Sequence, residues 1–212
     1  MHYIFDFDGT LADSMPTWAG FHISMLKEFG ITCPDGFVKT ITPLGNVRAS
    51  EYTIALGVEL TLDEYLDRMQ VVLSEMYGNK IPLKRGVEKT LNAILSRGHS
   101  VHVLTASPHR YIDPCLKRNG VYELFDKVWS IDDFGYTKAQ TVIYEEAAKR
   151  LNAKLSDCIF VDDNLTCCLT AKKAGMNVIG IYDETSSDLV EEIKAASDMY
   201  VYGFDEIMDI EF

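Results

Sequence analysis

Two aspartates near the amino terminus lie where a short apolar run gives way to a turn. Asp6 and Asp8 follow the run YIF and precede Gly9 and Thr10, within the segment DFDGT. Because residues two apart in a strand point to the same side, we expect both carboxylates to face one site. Close carboxylates repel each other unless one is protonated or a cation lies between them, and such a pair can supply a nucleophile and a proton donor. The alternative is a tight turn whose aspartates cap backbone amides.

A hydroxyl and a predicted helix start follow a later apolar run. The run SVHVLT ends at Thr105, and Ala106 and Ser107 lead into Pro108. Pro108 after Ser107 predicts the start of a helix with Ser107 as its cap. Free N–H groups at such a start, together with the Thr105 hydroxyl, suit a phosphate oxygen. Taken alone, a threonine such as Thr105 is more often an ordinary strand residue than a ligand.

A lysine and a second pair of acids follow in the same manner. Lys138 comes after the polar loop SIDDFGYT, at the predicted start of a helix over 138–151, and the run CIFVDDN ends in Asp162 and Asp163. Each has a simpler interpretation: Lys138 as a solvated helix residue, and Asp162 and Asp163 as caps of the next helix. Their joint order favours a single site, because the carboxyl ends of parallel strands meet at one edge of a sheet.

Six apolar, β-rich runs alternate with helical patterns along the chain. Such alternation predicts an α/β fold, a Rossmann-like parallel sheet with helices on both faces. The first two runs, HYIFDF and SVHVLT, are separated by far more chain than one crossover needs. We therefore predict a core domain formed by 1–14 and 82–212, and an inserted small helical cap domain at 15–81.

Taken in chain order, DFDGTLADS, VLTAS, Lys138 and FVDDN resemble the four motifs of the haloacid dehalogenase superfamily of hydrolases. The resemblance covers nearly the whole sequence, and the helical insertion is similar to the cap of the phosphoglycolate phosphatase and β-phosphoglucomutase branch. It implies a Mg²⁺-dependent phosphatase that hydrolyses a small phosphate monoester through an aspartyl-phosphate intermediate. One departure is the segment AQTVIY after Lys138, where many relatives have a proline-containing KPxP segment.

The resemblance also implies a role for each motif residue. Asp6 would attack phosphorus, and Asp8 would protonate the departing oxygen and then activate water. Thr105 and the backbone N–H of Ala106 would hold phosphoryl oxygens, and Lys138 would neutralise charge on Asp6 and the phosphoryl group.

The implied cofactor is Mg²⁺, held by Asp6, the backbone carbonyl of Asp8, and Asp163, with Asp162 supporting it through bound water. The residues expected to contact phosphate or substrate are Gly9, Thr10, Ala106, Ser107 and, from the cap, Arg48.

The composition limits the classes of partner. The 212-residue chain has a formal net charge of -12, which disfavours nucleic acid and anionic membranes as partners. It lacks both a run of about 20 apolar residues and a secretory signal pattern, so we expect a cytoplasmic protein. The expected partner is a small phosphorylated metabolite, and the expected assembly is a monomer or a weak homodimer.

Two alternatives use the same residues. A phosphomutase would pass the phosphoryl group to a sugar phosphate rather than to water, and a non-catalytic protein would only bind a phosphorylated ligand. A dehalogenase proper would not need Asp8, because halide leaves without a proton.

Overall fold

The structure is a computed structural model that describes residues 1–207, with the side chain of Pro43 excepted. The last five residues of the predicted core range, 208–212, lie outside the described residues. The chain divides into two compact units. One, the core unit, consists of Met1–Asp13 and the chain from Pro82 onward, and the other, the helical unit, is Ser14–Ile81.

The core unit is built on a six-stranded sheet with the strand order β3-β2-β1-β4-β5-β6. All five neighbouring pairs are parallel, which confirms the predicted α/β fold class. The strands are β1 (His2–Phe5), β2 (Ser100–Thr105), β3 (Lys127–Ser130), β4 (Cys158–Asp162), β5 (Asn177–Ile181) and β6 (Met199–Val201).

Ten α-helices lie within the described chain. Four belong to the helical unit: α1 (Met15–Glu28), α2 (Phe37–Ile41), α3 (Gly45–Ala55) and α4 (Leu62–Asn79). Six belong to the core unit: α5 (Val87–Ser96), α6 (His109–Arg118), α7 (Thr141–Arg150), α8 (Leu165–Ala174), α9 (Val190–Ala196) and α10 (Phe204–Ile207).

Both faces of the sheet are covered, as the apolar strands require. On one face, buried strand residues such as Ile4 and Phe160 share an apolar cluster with α7, α8 and α9. On the other, the Phe5 ring lies 6.0 Å from that of Phe204 in α10, and Thr90 of α5 donates a hydrogen bond to the Phe204 carbonyl. Burial of both faces explains why the central strands are almost continuously apolar.

The strand order creates a switch point at β1. The chain runs from β1 to β2 and β3 on one side, and then returns to β4, β5 and β6 on the other. In open α/β sheets, ligands bind at the carboxyl ends of the strands where the order reverses. Here those ends are Phe5, followed by Asp6, and Asp162.

The element boundaries differ from the sequence predictions in a few places. The last of the six apolar runs, MYVYGF at 199–204, forms a strand only over Met199–Val201, and α10 begins at Phe204. The short helices α2, α9 and α10 were not predicted from the sequence. Helices this short carry too few turns for apolar periodicity to reveal them.

The helical unit packs around a buried polar cluster. The fully buried His22 ring shares its Nδ1 with the Tyr65 hydroxyl at 2.8 Å and the Thr53 hydroxyl at 3.2 Å. Trp18 and Phe21 pack edge-on against the same ring. Among the residues that the structure describes, every helix is too short or too polar to span a membrane.

Burial of His22 predicts acid sensitivity. Burial lowers the pKa of His22 from 6.5 to about 4, so the unfolded chain binds a proton that the folded chain rejects between these values. This pKa difference contributes on the order of 3 kcal/mol to the free energy of unfolding. The contribution is fully present above pH 6.5 and is lost as the pH falls towards 4. In urea unfolding followed by circular dichroism, His22→Gln should show a shallower fall in unfolding free energy over this range.

His109→Gln is the control of opposite sign. Burial lowers the pKa of His109, but hydrogen bonds to Asp113 and Asp133 and their charges together outweigh burial and raise it. Its stabilising contribution is therefore present at low pH and lost as the pH rises, so removing it should steepen the acid-induced fall. If the free energy of unfolding depended on pH in the same way for wild type and His22→Gln, the result would contradict our conclusion that His22 is buried in its neutral form.

Candidate active site

The backbone after β1 holds Asp6 and Asp8 in a tight turn. β1 ends at Phe5, and the Asp6 N–H still donates to the Val161 carbonyl of β4 at 2.9 Å. Beyond it, the Ala12 N–H donates to the Phe7 carbonyl at 2.8 Å and closes the turn. Asp6 is therefore fixed against β4, and the predicted strand HYIFDF is two residues too long.

Lys138 joins two of the acids. Its Nζ lies 2.6 Å from Asp6 Oδ1 and 2.8 Å from Asp162 Oδ2, and all three side chains are buried. The other oxygen of Asp162, Oδ1, accepts the Asn164 N–H at 2.7 Å. Asp162 thus uses both oxygens within the protein, which suits a positioning role rather than a direct metal ligand.

The predicted helix start at Lys138 is wrong by three residues, because α7 begins at Thr141. Lys138 lies in the turn before the helix, where the Gln140 N–H donates to the Thr137 carbonyl. The buried Tyr144 hydroxyl donates to the Lys138 carbonyl at 2.8 Å. This contact fixes the backbone of a loop that lacks the KPxP prolines, and sequence reasoning missed Tyr144 because it reads as an apolar-face residue of a helix.

Ser107 connects the end of β2 to the DFDGT turn. Its hydroxyl donates to Asp8 Oδ2 at 2.5 Å, and its N–H donates to Thr105 Oγ1 at 3.1 Å. The predicted cap is therefore wrong: α6 begins at His109, its N-cap position is Pro108, and no side chain caps it. Ser107 lies one residue before the N-cap position, and its hydroxyl bonds to a carboxylate.

Three carboxylates form a cluster that fits a metal ion. One oxygen from each of Asp6, Asp162 and Asp163 lies within 4.8 Å of the others, and all three residues are buried. Asp163 Oδ1 also accepts the hydroxyl of the buried Thr10 at 2.9 Å. Carboxylate oxygens are the ligands that Mg²⁺ prefers, so Asp6 and Asp163 fit that ion as direct ligands, with Asp162 positioned beside them.

The charges of this cluster are poorly compensated by the protein alone. Burial raises the pKa of Asp6 to about 7; Lys138 opposes this shift, and repulsion from Asp162 and Asp8 adds to it. Burial also raises the pKa of Asp163 well above its usual range, with further repulsion from Asp162 and Asp6. A cation among these carboxylates would favour their ionised forms.

Gly9 gives the cluster the space it needs. Its φ of +78° is in the left-handed region, and a Cβ at this position would lie 2.7 Å from Asp163 Oδ2. The structure brings both Gly9 and Thr10 against the Asp163 carboxylate. Their assignment to phosphate binding stays a prediction.

An ion pair beside the cluster was not identified from the sequence. Lys84 Nζ lies 2.8 Å from Asp183 Oδ2 and donates to the Tyr182 carbonyl at 3.0 Å. Burial raises the pKa of Asp183, but hydrogen bonds from Lys84 and Thr185 and the Lys84 charge together lower it below its usual range. Lys84 belongs to none of the four motifs. A lysine in a segment between two helices is usually solvated, so nothing in the sequence singled it out.

Two further predicted residues are Ala106 and Arg48. Ala106 is exposed in the bend after β2, next to Ser107. Arg48 is exposed on α3 of the helical unit. Its assignment to substrate binding stays a prediction.

The fold and this carboxylate site define a class of hydrolase. Residues 3–181 match the sequence model of the haloacid dehalogenase-like hydrolases. The chain belongs to this family, which confirms the resemblance seen in its four motifs.

The individual relatives are similar to this chain at low sequence identity. The chain is 26% identical to 6-phosphogluconate phosphatase of Escherichia coli K12 over 177 residues, covering 82% of this chain and 79% of the relative. It is 24% identical to phosphoglycolate phosphatase of Psychrobacter arcticus, covering 84% and 81%. A structure of a provisionally named β-phosphoglucomutase from Thermotoga maritima gives a TM-score of 0.79 at 20% identity, covering 98% and 96%, which shows a shared fold.

Two glycine substitutions can separate the effect of close packing at Gly9 from the effect of left-handed backbone strain. Gly9→Ala should destabilise the protein by about 3 kcal/mol or more, because it adds a clash with Asp163 to the cost of a left-handed residue. Gly135→Ala is the matched control, since Gly135 has a φ of +71° but no atom within 4 Å of an added Cβ. It should cost only about 1–2 kcal/mol. Equal unfolding free energies for the two variants in urea would argue against close packing at Gly9.

The Tyr144 hydroxyl can be tested in the same way. Tyr144→Phe leaves the buried Lys138 carbonyl without its donor and should cost about 1–3 kcal/mol in unfolding free energy. Tyr136, which is 40% exposed, provides the control, and Tyr136→Phe should change stability by less than about 0.5 kcal/mol. A Tyr144→Phe variant as stable as the control would show that the hydroxyl does not hold this loop.

Proposed function

We propose that this protein is a Mg²⁺-dependent phosphatase that hydrolyses a small phosphate monoester through an aspartyl-phosphate intermediate on Asp6. The observation that carries the proposal is the different surroundings of two carboxylates in one turn. Asp6 is buried against the Lys138 ammonium, whereas Asp8 is half-buried and accepts a hydroxyl from Ser107. Separate environments suit separate roles, one as nucleophile and one as proton donor.

In the first step, a carboxylate oxygen of Asp6 attacks phosphorus and the bond between phosphorus and the ester oxygen breaks. Asp8 gives its proton to the departing oxygen, so the alcohol leaves neutral. Lys138 stays close to Asp6 and offsets negative charge on the phosphoryl group as the new bond forms.

In the second step, Asp8 acts as the base. It takes a proton from water, the water oxygen attacks phosphorus, and the bond between phosphorus and Asp6 breaks. Inorganic phosphate leaves, Asp6 returns to the carboxylate form, and Asp8 is again protonated. The same group therefore serves as acid and then as base.

The Thr105 hydroxyl can hold a phosphoryl oxygen. It accepts the Ser107 N–H, and a hydroxyl that accepts one bond can still donate another. The exposed bend at Ala106 leaves its backbone near the same strand end. Both residues support the predicted phosphate contacts.

We propose that Asp6, the backbone carbonyl of Asp8, and Asp163 hold Mg²⁺, with Asp162 positioned beside them. The ion would add positive charge at the phosphoryl oxygens and orient them. The clustering of buried carboxylates supports this assignment.

The chemistry of the site and the names of the relatives support a substrate class. The named relatives act on phosphoglycolate and 6-phosphogluconate, both small anionic phosphate esters. We propose a small phosphorylated metabolite for this chain, with no nucleic acid or membrane partner, acting as a monomer or weak homodimer in the cytoplasm. Arg48 is our candidate for a substrate contact from the helical unit.

The direct test uses p-nitrophenyl phosphate and a panel of sugar phosphates and phosphoglycolate, with phosphate release as the readout. Wild type should release phosphate with Mg²⁺ and stop when the metal is chelated. Asp6→Asn should lower kcat by about 1,000-fold or more, because an amide is a poor nucleophile. The control Asp132→Asn changes an exposed acid in the loop after β3 and should retain activity.

The outcomes also separate the alternatives. Interconversion of sugar phosphates without net phosphate release would replace the phosphatase with a phosphomutase, since the first step is shared and only the acceptor differs. Binding of phosphorylated ligands without turnover of any ester would favour the non-catalytic alternative. Full activity of Asp6→Asn would rule out the proposed nucleophile.

A further inference from the structure

A hydrogen bond joins Asp8 to Ser107, a residue 99 positions later in the chain. The Ser107 hydroxyl donates to Asp8 Oδ2 at 2.5 Å. This bond connects the turn after β1 to the bend after β2, across two neighbouring parallel strands. The sequence analysis predicts that Ser107 contacts phosphate or substrate, and in the structure its hydroxyl proton is directed to the Asp8 carboxyl group.

The backbone around Ser107 fixes this hydroxyl on both sides. On one side, the Ser107 N–H donates to the hydroxyl of Thr105, which ends β2 and is almost fully buried. On the other, Pro108 has an extended conformation with φ of −71° and leads directly into α6. A hydroxyl held by a strand end and a helix start can restrict the rotation of the carboxyl group that it contacts.

We propose that Ser107 is a positioning residue that orients Asp8 for proton transfer to the leaving group. This inference rests on the proposed function and deepens it. When Asp8 gives up its proton, it becomes a carboxylate, and a hydroxyl donates a stronger hydrogen bond to a carboxylate than to a neutral acid. Ser107 therefore stabilises the state that follows proton transfer more than the state that precedes it.

This role has a consequence that phosphate binding lacks. Protonation of the departing oxygen matters most when the alcohol that forms is a weak acid. It matters little when the group can depart as a stable anion, as p-nitrophenolate does. Loss of Ser107 should therefore penalise esters according to the acidity of their alcohol. A residue that holds the phosphoryl group, or only the fold, would affect all esters to a similar degree.

The test compares kcat/KM for p-nitrophenyl, p-chlorophenyl and phenyl phosphates, whose phenols are successively weaker acids and whose rings are similar in size. Ser107→Ala should lower kcat/KM about 30-fold for phenyl phosphate and less than about 3-fold for p-nitrophenyl phosphate, a part of what a general acid contributes. Ser107→Thr keeps the hydroxyl and should restore most of the loss. Circular dichroism and the urea midpoint verify that each variant is folded.

The results distinguish the inference from the function on which it rests. Equal losses across the three esters, or no loss, with an active wild type would overturn the positioning role and leave the phosphatase intact. Failure of Ser107→Thr to recover activity towards phenyl phosphate would also overturn it. A wild type that hydrolyses none of the esters with Mg²⁺ would overturn the proposed function, and the inference with it.

Discussion

The placement of one buried ammonium among several buried carboxylates is the interaction on which the site depends. Lys138 bonds to Asp6 and Asp162, and Asp163 lies within the same cluster. Burial lowers the pKa of Lys138, but the negative charges of Asp162 and Asp6 together outweigh burial and raise it well above its ordinary range. The lysine is therefore charged, yet a single positive charge does not balance the cluster. This deficit is what makes the site suited to a divalent cation and to the transfer of a charged group.

The surrounding backbone keeps these charges at fixed separations. Gly9 lets the turn approach Asp163 without a side chain between them, and Asn164 caps α8 while its own N–H bonds to Asp162. The Tyr144 hydroxyl holds the loop that carries Lys138. Since electrostatic stabilisation depends on groups that are already in place when charge develops, these neutral contacts matter as much as the charged residues.

Asp6 and Asp8 show how one short turn can supply two different acids. Asp6 is enclosed by β4 and Lys138, whereas Asp8 reaches the bend after β2. The relatives with the same family membership act on different esters, as their names state. Under the proposed function, the described core site handles the phosphoryl group, and other residues decide the choice of ester.

The sequence by itself determined the fold class and the order of the strands along the chain, but the ends of β1 and β6 differ from the predicted runs. Apolar runs and motif order can be read directly from the chain, so Asp6, Asp8, Thr105, Lys138 and Asp163 could be named as candidates. Only the tertiary structure decided which side chains bond to which. Ser107 looked like a helix cap and Lys138 like a helix start, because local patterns cannot reveal a partner far along the chain. The Asp8 contact of Ser107 and the Lys84–Asp183 pair each join segments whose distance is set by packing of the sheet and its helices. The Tyr144 contact with the Lys138 loop is closer in the chain, but it depends on where α7 begins.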